Sequence, residues 1–208
     1  MSVVITVAQQ KGGAGKTTLA ANLAAALAEG ARVAVLDIDP QRSLARWHEL
    51  RAGQKGVPAI TLSDLSGWRL AAEIDRLRRL HDVLVVDSPP QVESDAKAAI
   101  RAADLVLVPV QPSPPDLWAA EGTLKLARAE KRAFRLVLNR APSSGSLRAA
   151  VEAEMARQEL PVLTASLGNR VGFAGAFAKG LGVTETAPRS TAARELRAVL
   201  EEIRAVLR

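Results

Sequence analysis

The segment Gln10-Lys11-Gly12-Gly13-Ala14-Gly15-Lys16-Thr17-Thr18 packs three glycines, two lysines and two hydroxyls into one short stretch. That composition suits phosphate. Glycines let successive backbone N–H groups turn inward around phosphate oxygens, a lysine neutralises the β- and γ-phosphates, and a hydroxyl reaches a bound Mg²⁺. Lys16 and Thr17 take the last two roles, and a helix opening there adds its positive N-terminal end. The standard spacing Gly-x-x-x-x-Gly-Lys-Ser/Thr asks for glycine at position 10, where Gln10 stands, while a second lysine, Lys11, opens the loop. A glycine-rich turn that only caps a helix is the plain alternative; the apolar run before the segment and the amphipathic stretch after it argue against that.

Three carboxylates follow in similar settings. Asp37 and Asp39 lie in Leu36-Asp37-Ile38-Asp39-Pro40-Gln41, and Asp87 in Leu84-Val85-Val86-Asp87-Ser88-Pro89-Pro90. Two carboxylates at the end of a parallel strand beside a phosphate site can hold Mg²⁺ through water or orient an attacking water. Either alone could equally cap a helix. Asp87, ending a buried apolar run, is placed to support Mg²⁺ from behind.

These groups need a scaffold that delivers strand ends to one place. Short β-branched runs alternate with Ala/Leu-rich amphipathic stretches, the pattern of a doubly wound, mostly parallel α/β sheet with helices on both faces. Predicted strands cover residues 3–7, 33–37, 83–87, 105–110, 134–138 and 161–165, nearly all continuously apolar, as strands covered on both faces should be. A helix is predicted over 16–29, with Leu19, Leu23, Ala26 and Leu27 on one face and Gly30 at its C-terminal cap. Residues 143–146 read as an exposed loop and 192–208 as a helix packed on the sheet. No linker divides the chain, so residues 1–208 read as one domain.

Composition bounds the chemistry. The 208 residues suffice for a sizeable core, and 48% hydrophobic with 24% charged residues excludes disorder and fibrous repeats. Cysteine is absent, which removes disulfides, thiolate metal sites and a cysteine nucleophile, and tyrosine is absent too. No apolar run approaches the roughly 20 residues of a membrane span, and the N-terminus has no basic leader, so a cytoplasmic location is expected. The net charge of +6 is concentrated in the second half of the chain. An anionic polymer such as nucleic acid would explain that bias, and so would a solvated arginine-rich surface.

The Lys-Gly-Gly-x-Gly-Lys-Thr-Thr loop, the Asp-x-Asp-Pro-Gln segment and the Asp-x-Pro-Pro segment together resemble the ParA/MinD family of deviant Walker A ATPases, most of all its small, ParF-like ParA members. The resemblance runs from Val3 to the final helix. It implies an ATP- and Mg²⁺-dependent ATPase in which Lys11 crosses an ATP-sandwiched homodimer to the partner's nucleotide, Lys16 and residues Gly12, Gly13, Ala14, Gly15, Thr17 and Thr18 bind phosphate, and Asp39 positions water. Asp37 would lie near the metal, Thr17 and Asp87 would hold it, and Asn139 with Arg140 would contact adenine. The proline-rich run Pro109-Val110-Gln111-Pro112-Ser113-Pro114-Pro115-Asp116 is similar to a loop of small ParA proteins that could wall the base or touch a second chain.

Small ParA proteins lack an N-terminal helix-turn-helix domain and bind double-stranded DNA without sequence preference. By resemblance Arg170, Lys179, Arg189 and Arg194 would carry that contact, with Arg197 beside them; the cluster Lys125, Arg128, Lys131, Arg132 and Arg135 could join it or coat a helix. The implied partners are a second copy, nucleoid DNA and a small ParB-like or cargo-adaptor protein that stimulates hydrolysis, with no membrane. A MinD-like membrane-surface ATPase using the C-terminal helix is the alternative; Glu195, Glu201 and Glu202 on that helix argue against it. A related ligase is disfavoured by Lys11, a metallocluster carrier by the missing cysteines, and a tyrosine kinase by the missing tyrosines. His48 and His81 lack metal-ligand spacing, and Trp47, Trp68 and Trp118 read as packing or interface residues.

Overall fold

The computed structural model describes residues 2–65, 67–90 and 93–208. Among them the chain forms β1 (Val3–Val7), α1 (Lys16–Ala28), β2 (Val33–Asp37), α2 (Ser43–Ala52), β3 (Ile60–Asp64), α3 (Leu70–Leu77), β4 (Val83–Asp87), α4 (Glu93–Ala102), β5 (Leu105–Val110), α5 (Pro114–Ala129), β6 (Ala133–Leu138), α6 (Ser146–Arg157), α7 (Val171–Phe177), α8 (Val183–Thr186) and α9 (Thr191–Val206). The strands make a six-stranded sheet in the order β3-β2-β4-β1-β5-β6, with every pair parallel.

Alternate side chains of each strand feed opposite faces, as the pleat requires. On one face Ile5, Val7, Val33, Val35, Val85, Leu105 and Leu107 meet α1, α2, α7, α8 and α9. On the other, Leu84 and Val86 meet α3 and α4, while Val106, Val108 and Val110 meet α5 and α6. Helix α1 is buried on nearly every side rather than along the single predicted stripe, because α7, α8 and α9 cover its outer surface. Its alanines are what allow that close enclosure.

The register decides what shares a level at the C-terminal edge. Val7 pairs with Asp87, Asp87 with Asp37, and Asp37 with Asp64. One row of strand ends therefore carries three carboxylates and the entry to the glycine-rich loop.

Two expectations fail. Residues 161–165 form no strand of the sheet: Val162 makes an isolated bridge to Leu136. Pro161 has no N–H to donate, and the N–H groups of Thr164 and Ala165 go to the Glu202 carboxylate of α9 at 2.8 and 2.6 Å instead of to β6. Conversely, β3 was not foreseen. It is an edge strand buried only at Ile60, braced by His48 Nε2 against the Ile60 carbonyl at 2.7 Å and His81 Nε2 against the Thr61 hydroxyl at 2.8 Å.

The helix predicted over 192–208 is α9, capped by Ser190, whose Oγ accepts the Ala193 N–H at 3.2 Å. Its apolar positions Leu196, Val199, Leu200 and Ile203 are buried in the core. No helix among the described residues is long and apolar enough to cross a membrane.

Candidate functional site

The loop between β1 and α1 turns on two left-handed glycines, Gly13 at φ 78° and Gly15 at φ 89°. A side chain at Gly15 would also stand 2.5 Å from Asn139 Nδ2. The Asn139 amide donates to the Ala14 carbonyl at 2.8 Å, and Arg140 and Gln111 both donate to the Gly13 carbonyl, at 3.3 and 3.1 Å. Three side chains from the ends of β5 and β6 thus hold loop carbonyls outward, which leaves the N–H groups for a ligand. Gln10, standing where the usual pattern has glycine, packs its side chain against Gly122 of α5.

Lys16 opens α1 and is buried, with its Nζ 3.4 Å from the Lys11 carbonyl. Burial lowers its pKa, and the charges of Asp87 and Asp39 oppose that shift. The ammonium is therefore held between the loop and the carboxylate row, where a triphosphate would bring it compensating charge.

Asp87 is fully buried, and neither of its oxygens has a hydrogen-bond partner. Burial pushes its carboxyl up to about 7; the Thr17 hydroxyl, near but outside hydrogen-bond geometry, and the Lys16 charge moderate the rise, while Asp37 adds to it. An orphaned carboxylate facing a hydroxyl at the start of α1 matches what Mg²⁺ takes from a protein when substrate phosphates and waters supply its remaining ligands. No three acidic or histidine side chains converge into a self-sufficient metal cage among the described residues.

Asp37 is occupied differently. Its Oδ1 accepts the Asp39 N–H at 3.1 Å and its Oδ2 the Ala45 N–H at 2.9 Å, so it fixes the turn that presents Asp39 and anchors the first turn of α2. Burial raises its pKa and those two N–H bonds pull it back. Asp39 is half-buried, with Oδ1 accepting the Gln41 N–H at 2.9 Å.

Beside the loop lies a cavity of about 260 Å³ lined by Gly15, Thr18, Asn139, Arg140, Arg170 and Phe173, among others. Arg170, expected on a DNA-facing surface, lies on this wall, its guanidinium bonded to Glu195 Oε1 at 2.8 Å, while Glu195 Oε2 accepts the Gly168 N–H at 3.0 Å. Lys179, Arg189 and Arg194 are exposed and enter no ion pair among the described residues. Of the tryptophans, Trp47 is buried in the core, and Trp68 and Trp118 are 82% and 64% exposed.

Sequence reasoning missed Gln111 and Asp116 as site residues. The proline-rich run is not a free loop: Ser113 caps α5 and Pro114 and Pro115 fill its first turn. The spacing Ser-x-x-Asp was the available signal, an N-cap serine whose hydroxyl holds a carboxylate at the helix start.

The sequence profile of the CobQ/CobB/MinD/ParA nucleotide-binding domain matches residues 5–183. The chain belongs to that family. It is 32% identical to the maintenance of carboxysome distribution protein A of Halothiobacillus neapolitanus, with 96% of this chain and 95% of that protein aligned. It is 31% identical to the chromosome-partitioning ATPase Soj of Thermus thermophilus, covering 97% and 95%. Among solved structures, apo McdA of Cyanothece superposes with a TM-score of 0.81 at 21% identity over 98% of this chain and 100% of that one. The septum site-determining protein MinD of Pyrococcus horikoshii, complexed with Mg-ADP, follows at TM-score 0.78 and 21% identity, covering 98% and 96%. The family is one of P-loop nucleotide-binding proteins, and the fold is the ParA/MinD fold.

Proposed function

We propose that this member of the family is a positioning ATPase that binds ATP and Mg²⁺, pairs as an ATP-sandwiched homodimer, binds DNA without sequence preference and releases it on hydrolysis. The observation that carries the reading is the second lysine. Lys16 already occupies the phosphate position from within, so Lys11, on the half-exposed rim of the same loop, is surplus to a one-chain site and suited to a nucleotide held by a second copy.

In this reading the N–H groups of residues 12–18 bind the phosphates, Lys16 neutralises them, and Thr17 with Asp87 holds Mg²⁺. The metal supplies charge that draws the β- and γ-phosphates together and offsets charge developing on the transferred phosphoryl group. Asp37 sets the Asp39 turn, and Asp39 orients the attacking water. Asn139 and Arg140 shape the loop, with Arg140 and Phe173 walling the cavity for the nucleoside. Lys179, Arg189 and Arg194 bind DNA; Arg170, tied to Glu195, would first have to leave its partner.

The names of the relatives, carboxysome distribution and chromosome partitioning, support a task of spacing or segregating a cargo, with a small adaptor protein as the stimulating partner. A membrane-surface role for α9 is disfavoured, since its apolar face lies in the core and Glu195 and Glu202 bond to backbone. The test is binding to a random-sequence duplex with ATP, ADP or no nucleotide at two salt concentrations, with association followed by light scattering. ATP-only binding that weakens steeply with salt is expected; an ATP dimer indifferent to DNA would overturn the DNA role.

A further inference from the structure

Lys11 Nζ lies 2.6 Å from Oδ2 of Asp116, near the start of α5. The Asp116 side chain is only 4% exposed, whereas that of Lys11 is 39% exposed. Ser113 Oγ donates to the same Oδ2 at 2.5 Å, and the other oxygen, Oδ1, has no partner. The carboxylate thus rests on one cation and one hydroxyl. A lysine on a flexible stem at the rim can swing away; an aspartate in the first turn of a packed helix cannot follow it.

We propose that Asp116 is a positioning residue for Lys11, holding its ammonium against its own chain until a nucleotide on a second copy competes for it. The proposal rests on the reading in which Lys11 acts across two chains. Release leaves a buried carboxylate without its cation, a cost that opposes the exchange. A terminal phosphate, with several charged oxygens, can match the lost pair through charge-assisted hydrogen bonds; a diphosphate brings less charge to the same place. The pair therefore raises the protein concentration at which the triphosphate form associates, and it sharpens the distinction between the two nucleotides.

The competing role for Asp116 is capping alone. It accepts from Ser113 Oγ, and its own N–H points back at that hydroxyl at 3.4 Å. Asp116→Asn and Asp116→Gln keep a side-chain oxygen for the Ser113 hydroxyl while removing the charge. Ser113→Ala removes the cap and leaves the carboxylate.

The experiment is sedimentation equilibrium of the full chain with Mg²⁺ and a non-hydrolysable ATP analogue, beside titration of that analogue into dilute monomer. Both neutral variants should tighten the dimer roughly fivefold, the scale of a partly exposed ion pair, with monomer affinity for the analogue unchanged. The shift should vanish when Lys11→Gln is already present, and Ser113→Ala, which keeps the charge but removes the one other group holding the carboxylate, should lower the melting temperature and weaken the dimer rather than tighten it. A wild type that dimerises while both neutral variants dimerise equally or less well would overturn the holding role and leave the two-chain reading intact. Absence of a dimer in the wild type and in every variant would overturn both.

Discussion

Gly180 touches α2 so closely that a Cβ there would stand 2.2 Å from the Arg51 backbone nitrogen and 2.5 Å from the Leu50 carbonyl carbon. Its φ of 71° disfavours any other residue as well. Both obstacles are backbone and neither can rotate away. Gly180→Ala should cost on the order of 3 kcal/mol, read as a lower urea midpoint with an unchanged slope.

The same contact is locked by Arg51, whose guanidinium reaches Glu185 at 2.7 and 2.9 Å and the Gly180 and Pro58 carbonyls. Both partners are nearly dry, at 4% and 7% exposure. Arg51→Ala should therefore destabilise by about 3–5 kcal/mol, because it strands a buried carboxylate. The double change Arg51→Met with Glu185→Leu should recover most of that loss, and equilibrium unfolding of the three chains makes the comparison.

Asp87 gives the nucleotide-free protein a pH signature. Its folded pKa of about 7 lies above the unfolded value of roughly 4, so the native chain binds the extra proton between them. Its penalty is absent below the unfolded value, grows as pH rises and is complete above about 7. Asp87→Asn should flatten that part of the stability profile and melt roughly 4 °C or more above wild type at pH 8. With Mg²⁺ and ATP the order should reverse, as only the wild type gains from the metal.

Asp39→Ala should leave nucleotide binding within about twofold and slow turnover by at least roughly 100-fold, the usual weight of a group that orients the attacking water. Phosphate release beside an equilibrium binding titration separates the two effects. Lys16→Ala should instead abolish binding.

Arg189→Glu should weaken DNA binding and reduce the salt slope by roughly two, one phosphate contact from each chain of a dimer, with basal ATP hydrolysis unchanged. A filter-binding series in salt reads both quantities.

How much of this was legible depended on how local the chemistry is. The loop from Lys11 to Thr18 announces itself because its glycines, lysine and hydroxyl act within one turn of chain. Strands β1, β2, β4, β5 and β6 were legible because helices cover both their faces and leave them almost wholly apolar. Strand β3 was not, since Ile-Thr-Leu-Ser-Asp sits at the sheet edge, half-exposed and paired on one side. The run at 161–165 misled because its pairing with β6 stops after one bridge, the next two N–H groups, of Thr164 and Ala165, going to Glu202. The Lys11–Asp116 pair joins residues 105 apart and exists because β5 lies beside β1, a fact of topology that no local pattern carries.

The level row of Val7, Asp87, Asp37 and Asp64 also sets where this chain can change length. Insertions in the connections that enter the strands from below, such as residues 53–59 ahead of β3, leave every carboxylate at its height. Deleting one residue within β4 would draw Asp87 back by roughly 3.3 Å or turn its side chain to the other face of the sheet. Gaps among relatives that retain the site should therefore gather beneath the sheet and spare the strands themselves.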